Sequence, residues 1–249
     1  TIMIPITIHR RNAFQWLLFG LLELRRILVA FFTRSGSREE EVIRCVERHA
    51  EPGNPDSVID TMDTFARERR FLMNVGEEKR DILLDALSSG GAVRALELGA
   101  YCGYSAVLMG KELQARGGQL VSIEASPTNA ALAARAVDHA GLSSTVEFLV
   151  GTAKERIPDL EGAFDLVFID HWKDDYLSDL QRLEELNLLR PGARIVADNV
   201  GIFEKTLDAY LTYVREAPHM ESTHYVTRME YSDSINDGVE VSIWRGATC

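Results

Sequence analysis

The sequence predicts an α/β fold built on a mostly parallel sheet, and three observations carry the prediction. Five short apolar runs alternate with helical patterns between residues 92 and 216, those patterns are long enough to serve as crossovers, and two further strand-like runs close the chain. Ahead of them, Val42, Ile43 and Val46, then Val58, Ile59, Met62 and Phe65, recur at helical spacing, with Glu51-Pro-Gly-Asn-Pro55 breaking the two helices apart. A third helix is expected over 77–87. The runs 92–98, 119–123, 145–150, 164–169 and 193–197 read as strands, and 105–114, 127–140, 174–189 and 204–216 as helices. This alternation forms right-handed βαβ units, whose strands are parallel. Runs 222–229 and 239–244 flank the polar stretch Ser232-Asp-Ser-Ile-Asn-Asp-Gly238, which reads as a hairpin or bulged connection. No repeat or low-complexity linker appears from about residue 38 onward, so 38–249 is expected to form one domain, with 1–37 apart from it.

Composition narrows the function. With 249 residues, 46% hydrophobic and 26% charged, the chain is neither collagen-like nor disordered, and it is long enough to bury a core without disulfides. A net charge of -11, from 38 acidic and 27 basic residues, argues against nucleic acid as a partner, because duplex binding relies on basic surface. A small molecule is the better expectation. Cys45, Cys102 and Cys249 are widely spaced and show no CxxC pattern, which fits a reducing compartment.

The segment 14–32 is greasy, but Glu23, Arg25 and Arg26 interrupt it. At the centre of a span each such charge costs about 2.5 to 3.5 kcal/mol, whereas each Leu, Ile, Val or Phe returns only about 0.3 to 0.6. Wound as a helix, Leu17, Leu21, Leu24, Ile27, Leu28, Phe31 and Phe32 share one face opposite those charges. An amphipathic helix lying on a surface is therefore expected rather than a span, with a membrane preferred over the protein's own body and Arg10, Arg11 and Trp16 as interfacial anchors. The start at Thr1 points to a preceding segment, an anchor, that has been removed, and no small-residue site for a secretory signal follows the run.

The chemistry lies at strand ends. The first strand runs into Leu96-Glu-Leu-Gly-Ala-Tyr-Cys-Gly-Tyr-Ser105, a glycine turn leading into a helix, where a ligand can approach the backbone. The second ends in Glu124, placed to bind a ribose diol. The pair describes a site for a nucleoside without a pyrophosphate, and S-adenosylmethionine (SAM) is such a ligand; the plainer alternative is a helix cap and a solvated acid. The fourth strand ends in Asp170-His-Trp-Lys173 and the fifth in Asp198-Asn199. If these strands are parallel neighbours, three hard oxygen donors converge, a set suited to Mg²⁺, although acids capping the next helices would also explain them. Lys173, three residues past Asp170, could take a proton from a hydroxyl, or could merely pair with Asp174 or Asp175.

At these residues the chain resembles the catechol O-methyltransferases, class I methyltransferases that use SAM and Mg²⁺ on small molecules. The resemblance covers about residues 39–246 and rests on Met73-Asn-Val-Gly76, Leu96 to Ser105, Asp170-His-Trp-Lys-Asp174 and Ala197-Asp-Asn-Val200. It implies a Rossmann-like, doubly wound sheet of seven strands, mostly parallel with an antiparallel last strand and helices on both faces. It also implies SAM contacts at Val75, Glu97, Gly99, Tyr101, Ser105, Glu124, Ala125, Ala153, Asp170, His171 and Trp172. Of these, Val75, Glu97, Tyr101 and Ser105 would hold the methionine part and Glu124 the ribose, while His171 and Trp172 would flank the adenosyl group. Mg²⁺ would be held by Asp170, Asp198 and Asn199, with Lys173 as general base. The catechol would meet Met73, Lys173, Asn199 and Glu230, Glu230 accepting a hydrogen bond from its second hydroxyl.

The sequence departs from the family at several positions. Ala153-Lys154 replaces a Ser-Gln pair that contacts adenine, Phe71 replaces a tryptophan wall, Gly201-Ile-Phe-Glu204 replaces a proline-bearing loop, and Met229 stands at another wall position. The N-terminal segment resembles the juxtamembrane stretch of the family's membrane-bound form. The expected function is Mg²⁺-dependent methyl transfer from SAM to one hydroxyl of a catechol, by a membrane-associated protein whose catalytic domain faces the cytoplasm. The alternatives are a soluble cytoplasmic enzyme, a membrane-tethered interaction protein that keeps the fold, and a methyltransferase for larger phenols.

Overall fold

The computed structural model describes residues 37–246 together with Gly20. The surface-seeking stretch expected at 10–32 therefore lies outside the described residues apart from Gly20. Among the described residues no helix is long and apolar enough to cross a membrane.

Three helices come first. Helix α1, Arg38–His49, starts where the Ser37 hydroxyl accepts the Glu40 N–H, and it carries acids in its first turn and Arg48 and His49 in its last, as the helix dipole favours. Helix α2, Pro55–Glu68, is capped by Asn54 with Pro55 at its first turn, so the Pro-Gly-Asn-Pro break ends one helix and starts the next. Helix α3 is Gly76–Ser89. Then follow β1 (Arg94–Leu98), α4 (Tyr104–Gln114), β2 (Gln119–Glu124), α5 (Pro127–His139), β3 (Val146–Val150), α6 (Ala153–Arg156), β4 (Phe164–Ile169), α7 (Tyr176–Glu185), β5 (Leu189–Ala197), α8 (Asp208–Glu216), β6 (Met220–Arg228) and β7 (Asn236–Trp244).

The strands form one seven-stranded sheet in the order β3-β2-β1-β4-β5-β7-β6. Pairings from β3 through β5 are parallel, whereas β7 runs antiparallel to both β5 and β6, as expected for the last strand. Alternate strand residues feed two cores. Ala95, Leu120, Leu166 and Phe168 pack with α1 to α5, while Leu96, Leu98, Ile123, Val167, Ile169 and Ile195 pack with α6, α7 and α8, so helices cover both faces.

Several boundaries differ from the sequence reading. Strand β5 begins at Leu189 rather than 193, with a register shift against β4 between Phe164 and Leu166. The helix expected over 174–189 is a 3₁₀ turn, Lys173–Asp175, followed by α7, and the one expected from 204 starts at Asp208. The connection between the last two strands shrinks to 229–235. Asp237 and Gly238 are strand residues opposite Thr227 and Val226, because the Asp237 carboxylate is buried and satisfied within the protein.

The order of strands reverses beside β1, since β2 follows on one side and β4 on the other, which opens the crevice where ligands bind in this kind of sheet. The turn after β1 is shaped for it. Gly99 has φ +99°, and a Cβ there would lie 2.6 Å from the Asp170 carbonyl oxygen. Gly99→Ala should therefore lower the urea midpoint well beyond the αL penalty alone, which is about 1 to 2 kcal/mol. Gly117→Ala supplies the control, because Gly117 has φ +67° but a Cβ there would meet nothing within 4 Å, so only the conformational penalty should appear. Equal losses in the two variants would refute close packing at Gly99.

Candidate active site

One end of the sheet gathers the residues singled out from the sequence. Glu97 and Ser122 are register partners on β1 and β2, and the Ser122 hydroxyl donates to the Glu97 carboxylate. Burial, aided by Asp170 and Glu124, pushes the Glu97 carboxyl up to about 7 against the pull of the Ser105 and Ser122 hydroxyls. Its Oε1 is buried without a hydrogen-bond partner, an acceptor that calls for a donor. Glu124 does more than the sequence reading gave it. Its Oε2 accepts the N–H groups of Ala100 and Tyr101 at 3.1 and 2.9 Å, and its Oε1 that of Ser126 at 2.8 Å, so it holds the turn in shape. Tyr101, at φ +48°, donates its hydroxyl to Glu39 at 2.9 Å and ties the turn to α1.

The other expected cofactor residues surround this turn. Asp170 continues β4, its N–H donating to the Leu98 carbonyl at 2.9 Å. His171 Nε2 lies 2.9 Å from Asp179 Oδ2, its ring stacks on Tyr176 at 5.2 Å, and its Nδ1 is buried without a partner. Trp172 is 46% exposed, a large aromatic face open to a ligand, with its indole N–H on Asp174. Ala125 is exposed just past β2, and Ala153 is buried at the start of α6, where Thr152 and Glu155 form a capping box. Val75 is buried at the N-cap of α3, and Met73 two residues before it is 48% exposed.

Next to this half lies the oxygen-rich half. Ile169 and Ala197 are register partners on β4 and β5, so Asp170 and Asp198 leave neighbouring strand ends as the parallel arrangement requires. Lys173 does not pair with Asp174 or Asp175. Its ammonium donates to Asp170 Oδ1 at 2.9 Å and to the Tyr176 hydroxyl at 2.7 Å, and that hydroxyl donates to the Asp198 carbonyl at 3.2 Å. Asp198 Oδ1 accepts the Asn199 N–H at 2.7 Å, with Asn199 in the left-handed region at φ +59°. Burial pushes the Asp198 carboxyl up; Lys79 opposes this, and Asp170, Asp237 and Glu230 add to it.

Sequence reasoning missed Lys79 and Asp237. The Lys79 ammonium, 1% exposed, donates to Asp198 Oδ1 at 2.7 Å, Asp237 Oδ2 at 2.8 Å and Glu230 Oε2 at 3.2 Å. A signal existed for each. Lys79 heads the buried stripe of α3 that continues in Leu83, Ala86 and Leu87, and Asp237 extends the alternation Val239 and Val241 of β7.

Among the described residues no group of three or more His, Cys, Asp and Glu side chains forms a metal cage. The donors here are two carboxylates, Asp170 and Asp198, and the Asn199 amide, all hard oxygens suited to Mg²⁺. The local charge fits as well. Four carboxylates, Asp170, Asp198, Glu230 and Asp237, face two ammonium groups, Lys79 and Lys173, a formal excess of two negative charges.

A hydrogen-bonded clasp borders the opposite wall. Asn74 donates to the Tyr231 hydroxyl at 3.0 Å, and Tyr231 and Tyr104 donate to buried Asp63 at 2.7 and 3.1 Å. The Phe71 ring meets Tyr231 edge-on at 6.3 Å. Met229, expected at a wall, is buried, and Phe203 is half-buried with the Lys173 ammonium 5.7 Å from its ring centre.

Comparison with known proteins agrees with this arrangement. The O-methyltransferase family model matches residues 56–238. The chain is 41% identical over 216 residues to catechol O-methyltransferase of Mus musculus, covering 85% of this chain and 80% of that protein. It is 32% identical over 252 residues to transmembrane O-methyltransferase of Propithecus coquereli, covering 98% and 89%. Among solved structures it is similar to the O-methyltransferase TomG of Streptomyces achromogenes, in complex with SAM, at 26% identity and a TM-score of 0.63, over 76% of this chain and 89% of that one. The strand order, the glycine turn at the switch point and these likenesses together place the chain in the O-methyltransferase family, as a class I methyltransferase of the catechol O-methyltransferase kind.

Proposed function

We propose that this O-methyltransferase moves a methyl group from SAM to one hydroxyl of a small catechol and needs Mg²⁺ to do so. The observation that carries the reading is that Asp170, which holds Lys173, and Asp198-Asn199 leave the neighbouring ends of β4 and β5, beside the glycine turn of β1. The names of the mouse and bovine relatives support the catechol, and the SAM held by TomG supports the methyl donor.

In this reading the chain binds, orients and moves one proton. Glu97, with its unpartnered Oε1, would receive the ammonium of the methionine part alongside Val75, Gly99, Tyr101 and Ser105. Glu124 and Ala125 would meet the ribose, and His171, Trp172 and Ala153 the adenosyl group. Asp170, Asp198 and Asn199 would hold Mg²⁺, which supplies Lewis-acid stabilisation of negative charge on the reacting oxygen. As the neutral amine, Lys173 would take the hydroxyl proton at Nζ and become the ammonium, while Asp170 and Tyr176, both within 2.9 Å of that nitrogen, fix its position. Glu230 accepts from the second hydroxyl, and Met73 covers the reacting end. Most of the acceleration in such a site comes from positioning. The reading for larger phenols gains no support from Met229 or Phe203, since the first is buried and the second lies against Lys173.

The proposal keeps 1–37 as a surface-seeking segment ahead of the catalytic domain 38–249, supported by the amphipathic pattern at 10–32. The 249-residue chain should float with lipid vesicles, and replacing Leu21, Leu24 and Leu28 by Gln should leave it in the aqueous fraction; a wild-type chain that never floats refutes the segment's role.

The reaction is tested with labelled SAM and a panel of catechols, where methyl ether should form with Mg²⁺ and stop with EDTA. Absence of transfer to every catechol with donor and metal supplied sinks the proposal. Lys173→Ala should cut turnover by about 10²- to 10⁴-fold while SAM still binds, and equal losses in both would remove Lys173 as the base.

Glu97 makes a separate prediction. Because its folded carboxyl titrates near 7, above the ordinary 4.5, the folded chain holds the proton more tightly than the unfolded one, and stability falls as pH rises from 4.5 through 7. Glu97→Gln should therefore stabilise the fold at pH 8 by up to about 3 kcal/mol, read as a higher melting temperature, and much less at pH 5, while weakening SAM binding. An equal effect at both pH values would contradict a buried, raised carboxyl.

A further inference from the structure

Asn199 is the one proposed metal donor whose side chain has two unlike ends, since its amide oxygen can face a cation and its NH₂ cannot. The structure shows what decides between them. Asn199 Nδ2 donates to Asp237 Oδ2 at 3.1 Å, and a carboxylate flanked by other donors can only accept, so the NH₂ is held toward β7 and the oxygen is turned the other way.

Asp237 is itself fixed. Its Oδ2 also accepts Lys79 at 2.8 Å, and its Oδ1 accepts the Ile202 N–H at 3.0 Å. That amide reaches it because the loop after Asn199 lies flat on β7: the Val200 N–H donates to the Gly238 carbonyl at 3.0 Å, and a Cβ on Gly201 would stand 2.5 Å from the Asp237 carbonyl carbon. Lys79 completes the arrangement, its remaining contacts holding Asp198 Oδ1 and Glu230 Oε2, and neither of the bonds to Asp198 uses Oδ2.

We propose that Asp237 and Lys79 are positioning residues of the cation site: Asp237 sets the Asn199 amide with its oxygen toward the metal, and Lys79 holds Asp198 and Glu230 in the matching geometry. This rests on the Mg²⁺ reading above. Neither residue touches the reacting atoms; both act through groups that do, and outer partners of this kind tune affinity by steering ligands.

The test is calorimetric titration of the 249-residue chain with Mg²⁺ alone, with melting in EDTA as the control for folding. Asp237→Asn and Lys79→Arg should each weaken Mg²⁺ binding by about 10- to 100-fold with the melt largely retained. In an Asn199→Asp background, where both ends of residue 199 are oxygens, Asp237→Asn should change Mg²⁺ affinity by no more than about twofold, the non-additivity expected of residues that act through one another. Wild type that binds Mg²⁺ while Asp237→Asn binds equally well, or an identical loss in both backgrounds, overturns the proposal and leaves the metal reading standing. Wild type that takes up no Mg²⁺ overturns both. Should Asp237→Asn fail to fold, Lys79→Arg, which keeps the charge, decides by the same criterion.

Discussion

The working end of the sheet is organised around one buried ammonium. An isolated charge at the depth of Lys79 would cost several kcal/mol, so each of its three N–H groups needs an oxygen, and the three partners come from three different segments. Asp198 follows β5, Asp237 sits in β7, and Glu230 lies in the connection before β7. Helix α3 can therefore dock at only one depth and rotation. Gly76 at its start marks how close that docking is, since a Cβ there would lie 2.8 Å from Glu230 Cβ. The antiparallel insertion of β7 between β5 and β6 has a purpose in this light, because it brings an acid to the side of Asp198 that no parallel crossover supplies.

Two halves of the site are built by different means. On the side of β1 and β2 the crevice is shaped by a backbone turn, a glycine turn whose amides are held by Glu124 and whose tip is tied to α1 through Tyr101 and Glu39. On the side of β4 and β5 it is side chains, each locked by another. Backbone recognition tolerates changes in side chains at its margin. Ala153 and Lys154 open a helix whose start is secured by the Thr152 and Glu155 capping box, so the local backbone holds its place independently of the side chains at these two positions.

The fold was legible because its signals are periodic. Alternating short apolar runs and helical stripes locate every strand of the sheet, and the parallel neighbours β4 and β5 bring Asp170 to Asp198 as their strand ends implied. What escaped the sequence was polarity inside the core. Lys79 sits in a helix with other charges around it, Glu77, Glu78 and Arg80, and only its phase with Leu83 and Leu87 marks it as buried. Asp237 sits in a run of Ser, Asp, Asn and Gly that has the composition of a turn, yet pairing opposite Thr227 draws it into the sheet. Local composition measures a residue's preference, whereas the partner that reverses it stands 158 residues away in the chain. The dual duty of Glu124 was hidden for a related reason, because the amides it holds belong to a turn whose shape no spacing rule describes.

The charge network and the walls around it also answer to different constraints. Asp198, Asp237 and Glu230 share the one Lys79 ammonium, so removing that charge would leave three buried carboxylates without their common partner. Phe71, Met73 and Phe203 carry no such obligation; Met73 is half exposed, and Phe203 meets Lys173 only through its ring. Shape can therefore drift at the walls while the charges stay fixed. A link between the two is the clasp of Asn74, Tyr231 and Asp63, which joins the segment bearing Phe71 and Met73 to the connection bearing Glu230. On the proposed reading, changes that respect this clasp would alter which ring fits, and changes that break it would disturb the acid proposed to read the second hydroxyl, so substrate preference and reaction chemistry would separate at the residues on either side of Tyr231.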